Sequence, residues 1–423
     1  MSDLSFIEKV LDGVDVEWMS LGDIGEFIRG NGMQKKDFSN EGFPAIHYGQ
    51  IFTRYDLSAD KTFTYVPEQL AKKLKKAHKN DLLLATTSEN DKDVVKPLAW
   101  LGEKTAISGD MTLFRHDQNV KYLAYYFQTS AFQTQKQKYI SGAKVRRVSK
   151  DNLAKMYVPI PCPKDHKRSL EIQAEIVRTL DAFSAQTQEL TRQLAQELSA
   201  RQKQCDYYRD HLLSFKDNEV DWKLIGEVCE LVRGSGLPKA DFTESGVPAI
   251  HYGQIYTYYG VSTTSTLSFV SSDTASKLKK VNNGDVIITN TSENLEDVGK
   301  SLVYLGNEQA VTGGHATILR PSSMILGKYF AYFTQTKEFA DKKRKYAKGI
   351  KVIDVSANDL SKILIPIPTL KQQDQIVSTL DKLDKVKNTF CDNLLNEIEL
   401  RKKQYDYYRE LLLSFAKPEE AGV

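Results

Sequence analysis

The octapeptide PAIHYGQI stands twice in this chain, at Pro44–Ile51 and at Pro248–Ile255. Eight identical residues 204 positions apart mean that whatever the first half folds into, the second half folds into as well. The same offset carries Trp18 onto Trp222, Lys35 onto Lys239, and Asp81 onto Asp285. It also carries Ser88, Glu89 and Asn90 onto Ser292, Glu293 and Asn294. Further on the offset becomes 207, where YLAYYFQT from Tyr122 matches YFAYFTQT from Tyr329. Each copy ends in Pro-Ile-Pro, at Pro159–Pro161 and Pro366–Pro368. A second block then repeats at offset 200: QAEIVRTLD with QDQIVSTLD, and RQKQCDYYR with RKKQYDYYR. A period this long is a domain duplication, not a solenoid of small repeats.

The order is globular unit, helix, globular unit, helix, with boundaries at 1–163, 164–217, 218–368 and 369–423. The globular units read as α+β. DLLLATTS and DVIITNTS are apolar, β-branched strand candidates, and AYYFQTSAFQTQKQKY reads as one helix. The other two segments contain no Pro or Gly from Leu170 to Phe215 or from Lys371 to Phe415. Ile176, Leu180, Phe183, Thr187, Leu190 and Leu194 recur at spacings of three and four, as do Ile376, Leu380, Leu383, Lys387, Phe390 and Leu394. That is a heptad-like seam on a helix on the order of 65 Å long. Such a stripe needs a partner: the other helix, as an antiparallel coiled coil with an internal pseudo-two-fold repeat, or the flank of its own globular unit.

Several function classes are excluded by what the chain lacks. There is no GxxxxGK[ST], GxSxG or HExxH, and the GxG of RGNGMQKKDF and RGSGLPKADF lacks the third glycine of a dinucleotide loop. Cys162, Cys205, Cys229 and Cys391 form no CxxC and have no histidine at ligand spacing, so neither zinc nor a disulfide framework is indicated and a reducing cytoplasm fits. The N-terminus MSDLSFIEKV is too polar for a signal peptide. No catalytic residue and no metal site is expected. The net charge of +3 places any nucleic-acid contact in local patches, with a small positive excess on the globular units.

The repeated polar residues are of the types that meet DNA. Gln50 and Gln254 follow a glycine, and a glutamine side chain can pair with adenine in the major groove. His47 with Tyr48, and His251 with Tyr252, flank them. Arg29 and Arg233 precede Gly-x-Gly loops that allow close approach. Lys35, Lys72, Lys76, Lys144 and Arg146 are candidate phosphate contacts in the first copy; Lys239, Lys277, Lys280 and Lys351 are their counterparts in the second. Any one lysine cluster is also an ordinary solvated face, and a duplicated protein-binding scaffold remains the alternative.

This arrangement resembles the DNA-specificity subunit of type I restriction-modification systems over essentially the full length. The resemblance rests on the unit order, the Pro-Ile-Pro exits, the paired QAEIVRTLD and RQKQCDYYR blocks with their LLSF ends, and HYGQI in both globular units. It implies two target-recognition domains, each reading half of a bipartite target. It also implies that the helices act as a ruler for the spacer. The chain itself would hold no cofactor. Modification subunits would supply S-adenosylmethionine-dependent adenine-N6 methylation, and restriction subunits ATP- and Mg-dependent translocation and cleavage. Tyr207, Tyr208 and Arg209, with Tyr407, Tyr408 and Arg409, would dock the modification subunits, unless these tyrosines close the coiled coil. The likeness of the two copies implies nearly palindromic half-sites. Asn31/Ser235, Lys36/Ala240, Arg54/Tyr258, Thr86/Asn290, and Arg146 and Arg147 against Ile353 and Asp354, are candidates for any difference between them.

Overall fold

The computed structural model describes residues 14–216 and 218–415. The expectation for the N-terminal decapeptide, and the segment ends at 217 and 423, lie outside the described residues. The chain forms two compact units, and they cut across the four sequence segments. Unit 1 draws on Met1–Gln193 and Glu397–Val423; unit 2 is Leu194–Asn396. Each unit therefore holds one globular part, the beginning of the helix that follows it, and the end of the other long helix.

In unit 1 a five-stranded sheet has the order Gly25–Arg29, Met111–His116, Leu82–Ala85, Lys96–Trp100, Ser58–Ala59. A second sheet orders Thr64–Val66, Phe43–Ile46, Thr105–Ile107 and Lys76–Ala77. Leu82–Ala85 is buried at every residue. Successive side chains of a strand point to opposite faces: Leu82 and Leu84 join Tyr122 and Leu123 on one side, while Leu83 and Ala85 join Ile46, Ile51 and Trp100 on the other. That double covering is why LLLA is an unbroken apolar run. Each such leucine contributes about 1.5–3 kcal/mol. Unit 2 repeats the design with Val286–Thr289 at the centre, between Ala316–Pro321 and Ser301–Tyr304.

The segment expected as one helix is two, Val120–Tyr126 and Ser130–Gln137. The Thr129 hydroxyl accepts from Phe132 N and caps the second helix, a local competition that helical patterning does not register. Thr336 does the same before Lys337–Arg344. The tyrosine opening the repeated YLAYY and YFAYF motifs locks the Pro-Ile-Pro exit. Tyr122 OH donates to Pro159 O (2.7 Å) and Tyr329 OH to Pro366 O (3.0 Å).

The long helices span His166–Leu212 and Leu370–Leu412. Both expected partners of the apolar stripe are realised, at different heights. In unit 1, Ile172, Ile176, Val177 and Leu180 are buried in the globular core, which the other helix joins through Leu412 and Leu413. Gln173 is the clamp: it accepts from Asn119 N (2.9 Å) and donates to Gln118 Oε1 (2.8 Å). In unit 2, Gln373 likewise accepts from Leu326 N (2.8 Å). Beyond Leu180, helix meets helix. Phe183 stacks on Tyr408 at 4.9 Å in unit 1. In unit 2, Arg201 lies over Phe390 (5.4 Å) and Cys205 lies near Lys387 and Asp384, so partner numbers fall as the first helix advances. The helices pair antiparallel. Their exposure pattern over 181–200 recurs residue for residue over 381–400.

Candidate nucleic-acid interface

The repeated octapeptide is a strand, a cap and one turn and a half of helix. Phe43–Ile46 delivers the chain to His47, whose imidazole caps the helix Tyr48–Thr53. Gly49 N donates to His47 Nδ1 (3.2 Å), and Gln50 Oε1 reaches back to accept from His47 N (3.0 Å). Gln50 Nε2 donates to Thr64 Oγ1 (2.5 Å). Unit 2 repeats all three contacts: Gly253 N to His251 Nδ1 (3.1 Å), His251 N to Gln254 Oε1 (3.2 Å), and Gln254 Nε2 to Ser268 Oγ (2.6 Å). The adenine-pairing role expected for Gln50 and Gln254 does not fit this geometry, because both ends of the amide hold the turn together. His47 and His251 are buried caps rather than groups aimed outward. Burial lowers the pKa of each, with Lys35 beside His47 and Lys239 beside His251 acting in the same direction. The neutral ring with Nδ1 as acceptor is the form the cap requires. Tyr48 and Tyr252 are half-buried against these rings.

Arg29 and Arg233 end the edge strands and are exposed. The glycine after each serves the chain's own backbone: a Cβ on Gly30 would meet Ser108 O at 2.0 Å, and one on Gly234 would meet Gly313 O at 2.0 Å. Asn31 ties this loop to the lysine loop, donating to Lys73 O (2.8 Å) and accepting from Lys75 N (2.7 Å). Ser235 makes one such tie, to Lys277 O (3.2 Å). The expected basic residues thus divide. Lys35, Lys72, Lys144, Lys239, Lys277 and Lys351 are exposed. Lys76 and Lys280 are not free phosphate contacts: Lys76 Nζ caps Ala71 O and Leu74 O, and Lys280 Nζ caps Ala275 O. Arg146 is also committed, to Asp91 (2.8 Å) and to Gly142 O (2.5 Å).

The Ser-Glu-Asn loop lies beside the octapeptide helix. In unit 2 a cleft of about 570 Å³ is lined by Lys239, His251, Tyr252, Asn294 and Val352, among others. A hairpin crosses the loop: Arg146–Arg147 pairs with Thr87–Ser88, and Ile353–Asp354 with Thr291–Ser292. Asn90 closes its loop onto Asp93, and Asn294 closes onto Asp297. Sequence reasoning missed what anchors this loop from beneath. Lys136 is 1% exposed, and its ammonium donates to Lys92 O and Val94 O, both at 2.9 Å. Lys343, in the basic run Lys342, Lys343, Arg344 and Lys345, is 4% exposed and donates to Glu296 O (3.2 Å) and Val298 O. Burial pulls each amine down to about 8, still cationic at neutral pH. The available signal was their matching position in the repeat, four residues after Phe132 and Phe339. Of the positions proposed to distinguish the copies, Thr86/Asn290 drops out: Asn290 is buried and bonded to Val355 O and Thr317 Oγ1.

At the ends of the long helices the repeated tyrosines and arginines separate by role. Arg209 pairs with Asp206 (3.0 Å) and Arg409 with Asp406 (2.9 Å); both are largely buried. The following acid docks onto the globular part of the same unit. Glu410 accepts from Ser130 N (2.9 Å), and Asp210 from Lys337 N (3.3 Å), each at a helix N-terminus that favours negative charge. Tyr408 closes the helix pair on Phe183, as the coiled-coil alternative anticipated. Tyr208 is 43% exposed. Tyr207 and Tyr407 stay outside, 64% and 63% exposed.

Comparison with known proteins gives this geometry its family. The signature described as "Type I restriction modification DNA specificity domain" matches twice, at residues 13–200 and 219–400. The chain belongs to the type I restriction-modification DNA-specificity family, with the domain in two copies. It is 32% identical over 430 residues to the EcoR124I/EcoR124II type I restriction enzyme specificity subunit of Escherichia coli, covering 99% of both chains. It is 27% identical over 403 residues to the EcoprrI specificity subunit of Escherichia coli, covering 93% of each. Its fold matches a chain from a structural study of assembly and conformational transition in the type I system, with a TM-score of 0.71 at 16% identity, covering 94% of this chain and 97% of that one. It also matches the HsdS subunit from Thermoanaerobacter tengcongensis, with a TM-score of 0.53 at 16% identity, covering 94% and 96%. No helix among the described residues is long and apolar enough to cross a membrane.

Proposed function

We propose that this chain is the DNA-reading, non-catalytic subunit of a type I restriction-modification complex, with one unit on each half of a bipartite target. The observation that carries the reading is the duplicated face, octapeptide helix, Ser-Glu-Asn loop and hairpin, on a chain that matches specificity subunits end to end. Exposed Arg29, Lys35, Lys72 and Lys144 in unit 1, and Arg233, Lys239, Lys277 and Lys351 in unit 2, suit phosphates. Such contacts set register without carrying sequence information. Base reading falls to the exposed loop and hairpin residues, since the octapeptide glutamines are occupied.

Two modification subunits would bring S-adenosylmethionine and methylate adenine N6, and restriction subunits would bring ATP and Mg. Exposed Tyr207 and Tyr407 are the docking residues we assign to the modification subunits. The complex works in the cytoplasm. The likeness of the two copies supports related half-sites that differ where the exposed loop and hairpin residues differ. The test is a genome-wide map of N6-methyladenine after expression with the companion modification subunit in a methylation-free host. A bipartite motif is the expected result. No methylation from a soluble, intact complex would sink the reading, as would DNA affinity that does not fall with salt.

A further inference from the structure

We propose that Ile350, at the tip of the unit 2 hairpin, reads the 5-methyl group of a thymine in the major groove. This contact gives that half-site a base the other half does not require. The inference rests on the DNA-reading assignment above.

Ile350 is 98% exposed, and it does not sit on a slack loop. Lys348 N donates to Asp354 O (3.0 Å) and Asp354 N to Lys348 O (2.8 Å) across the hairpin. Gly349 makes the turn at φ +110°, where a Cβ would lie 1.9 Å from Val352 O. The strand Ile353–Asp354 fastens the hairpin to the Ser-Glu-Asn loop. An isoleucine held fully in water on a fixed tip is a group presented to something.

Its neighbours say what kind of surface it meets. Val352, 59% exposed, lines the cleft with His251, Tyr252 and Asn294, and Leu295, next to Asn294 in the chain, is 38% exposed. Lys348 and Lys351 flank the tip and are both exposed, with Lys348 Nζ 3.3 Å from Asp359. An apolar point bracketed by cations complements a polyanion with apolar spots. The major groove, phosphate-walled and dotted with thymine methyls, is such a surface.

Unit 1 carries the same hairpin with a different tip. Its hairpin is pinned the same way, with Ser141 and Arg147 exchanging two 2.9 Å bonds and Gly142 at φ +93°. Yet Ala143 stands where unit 2 has Ile350, and the ion pair of Asp91 with Arg146 stands where unit 2 has Leu295 and Ile353. The backbone is kept while two charged side chains become apolar and the alanine becomes a larger isoleucine.

The experiment uses the complex of the full chain with its modification subunit. Duplexes carrying the mapped target are made with uracil replacing each thymine in turn, on either strand. Uracil removes only the methyl. At one position in one half-site, uracil should weaken wild-type binding about four-fold, the weight of one buried methyl, and should leave Ile350→Ala unchanged. Ala143→Ile should add a methyl sensitivity to the other half-site. Ile350 is fully exposed, so its alanine variant keeps the fold, which circular dichroism checks. If no uracil duplex weakens the wild type, or if Ile350→Ala responds to uracil as the wild type does, the inference is overturned while the specificity-subunit reading stands. If Ile350→Ala weakens every duplex alike, the tip is a general anchor and the methyl reading fails. If the complex binds no bipartite target, both readings fall.

Discussion

The two units put different side chains on one framework. In both, a neutral histidine caps the octapeptide helix, a buried lysine anchors the Ser-Glu-Asn loop, and a glycine turn sets the hairpin. What differs lies outside the framework or at its seams. Unit 1 has an ion pair and an alanine at the hairpin where unit 2 has leucine, isoleucine and isoleucine. Unit 1 ends a sheet strand with His116 where unit 2 has Pro321. Unit 1 stacks Phe183 on Tyr408, and the repeat gives unit 2 Leu383 at the position of Phe183. The octapeptide cap, the loop anchor and the hairpin turn were retained in the duplication, while the hairpin tip, one strand end and one helix-pair contact diverged.

The comparison can be broken most forcefully at the shared anchor. Lys136→Met and Lys343→Met each leave one buried and one part-buried carbonyl without this donor, at about 1–3 kcal/mol apiece. Each variant should lose on the order of 4 kcal/mol in denaturant unfolding, and each should lose methylation of the whole target. A large loss in one unit and none in the other would show the anchor is not equivalent. Next in size is acid sensitivity. Burial holds the His116 pKa at about 4, against an ordinary 6.5. Its stabilising contribution is therefore complete above pH 6.5 and is lost as pH falls toward 4. The full window is worth about 3 kcal/mol. His116→Asn keeps an acceptor for Gln118 N and should flatten the pH dependence of Tm over that window, beyond what His47 and His251 contribute in both units. An unchanged slope would remove this asymmetry.

A smaller difference is expected at the helix pair. Tyr408→Ala removes an aromatic stack and Tyr208→Ala does not, so the first should be more destabilising by about 1 kcal/mol. Equal losses would mean the stack contributes nothing special. The smallest stability effect, under about 1 kcal/mol, should come from converting Asp91 and Arg146 to the Leu and Ile of unit 2. The methylation map should nevertheless change in one half-site alone. A change in both halves would place the two units on shared bases.

Much of this protein was legible in its residues. The duplication, the α+β character of the units, the two long helices and the absence of catalytic motifs follow from identity at fixed offsets and from spacing along the chain. Those signals are local or self-referential, so no knowledge of distant contacts is needed to see them. Side-chain roles were less legible. Gln50 and Lys76 carry the right chemistry for DNA, yet each is used within the fold. Lys343 sits in a run of basic residues and is buried. Whether a polar group faces solvent or a carbonyl 45 residues away depends on how the sheets and helices close over it. The sequence by itself determined that one reader was made twice and joined by helices. Only the tertiary structure decided which of its polar residues hold the reader in shape and which are left to face DNA. Hydrogen bonds within the fold claim a side chain before any ligand can, and those bonds exist only once the chain is packed.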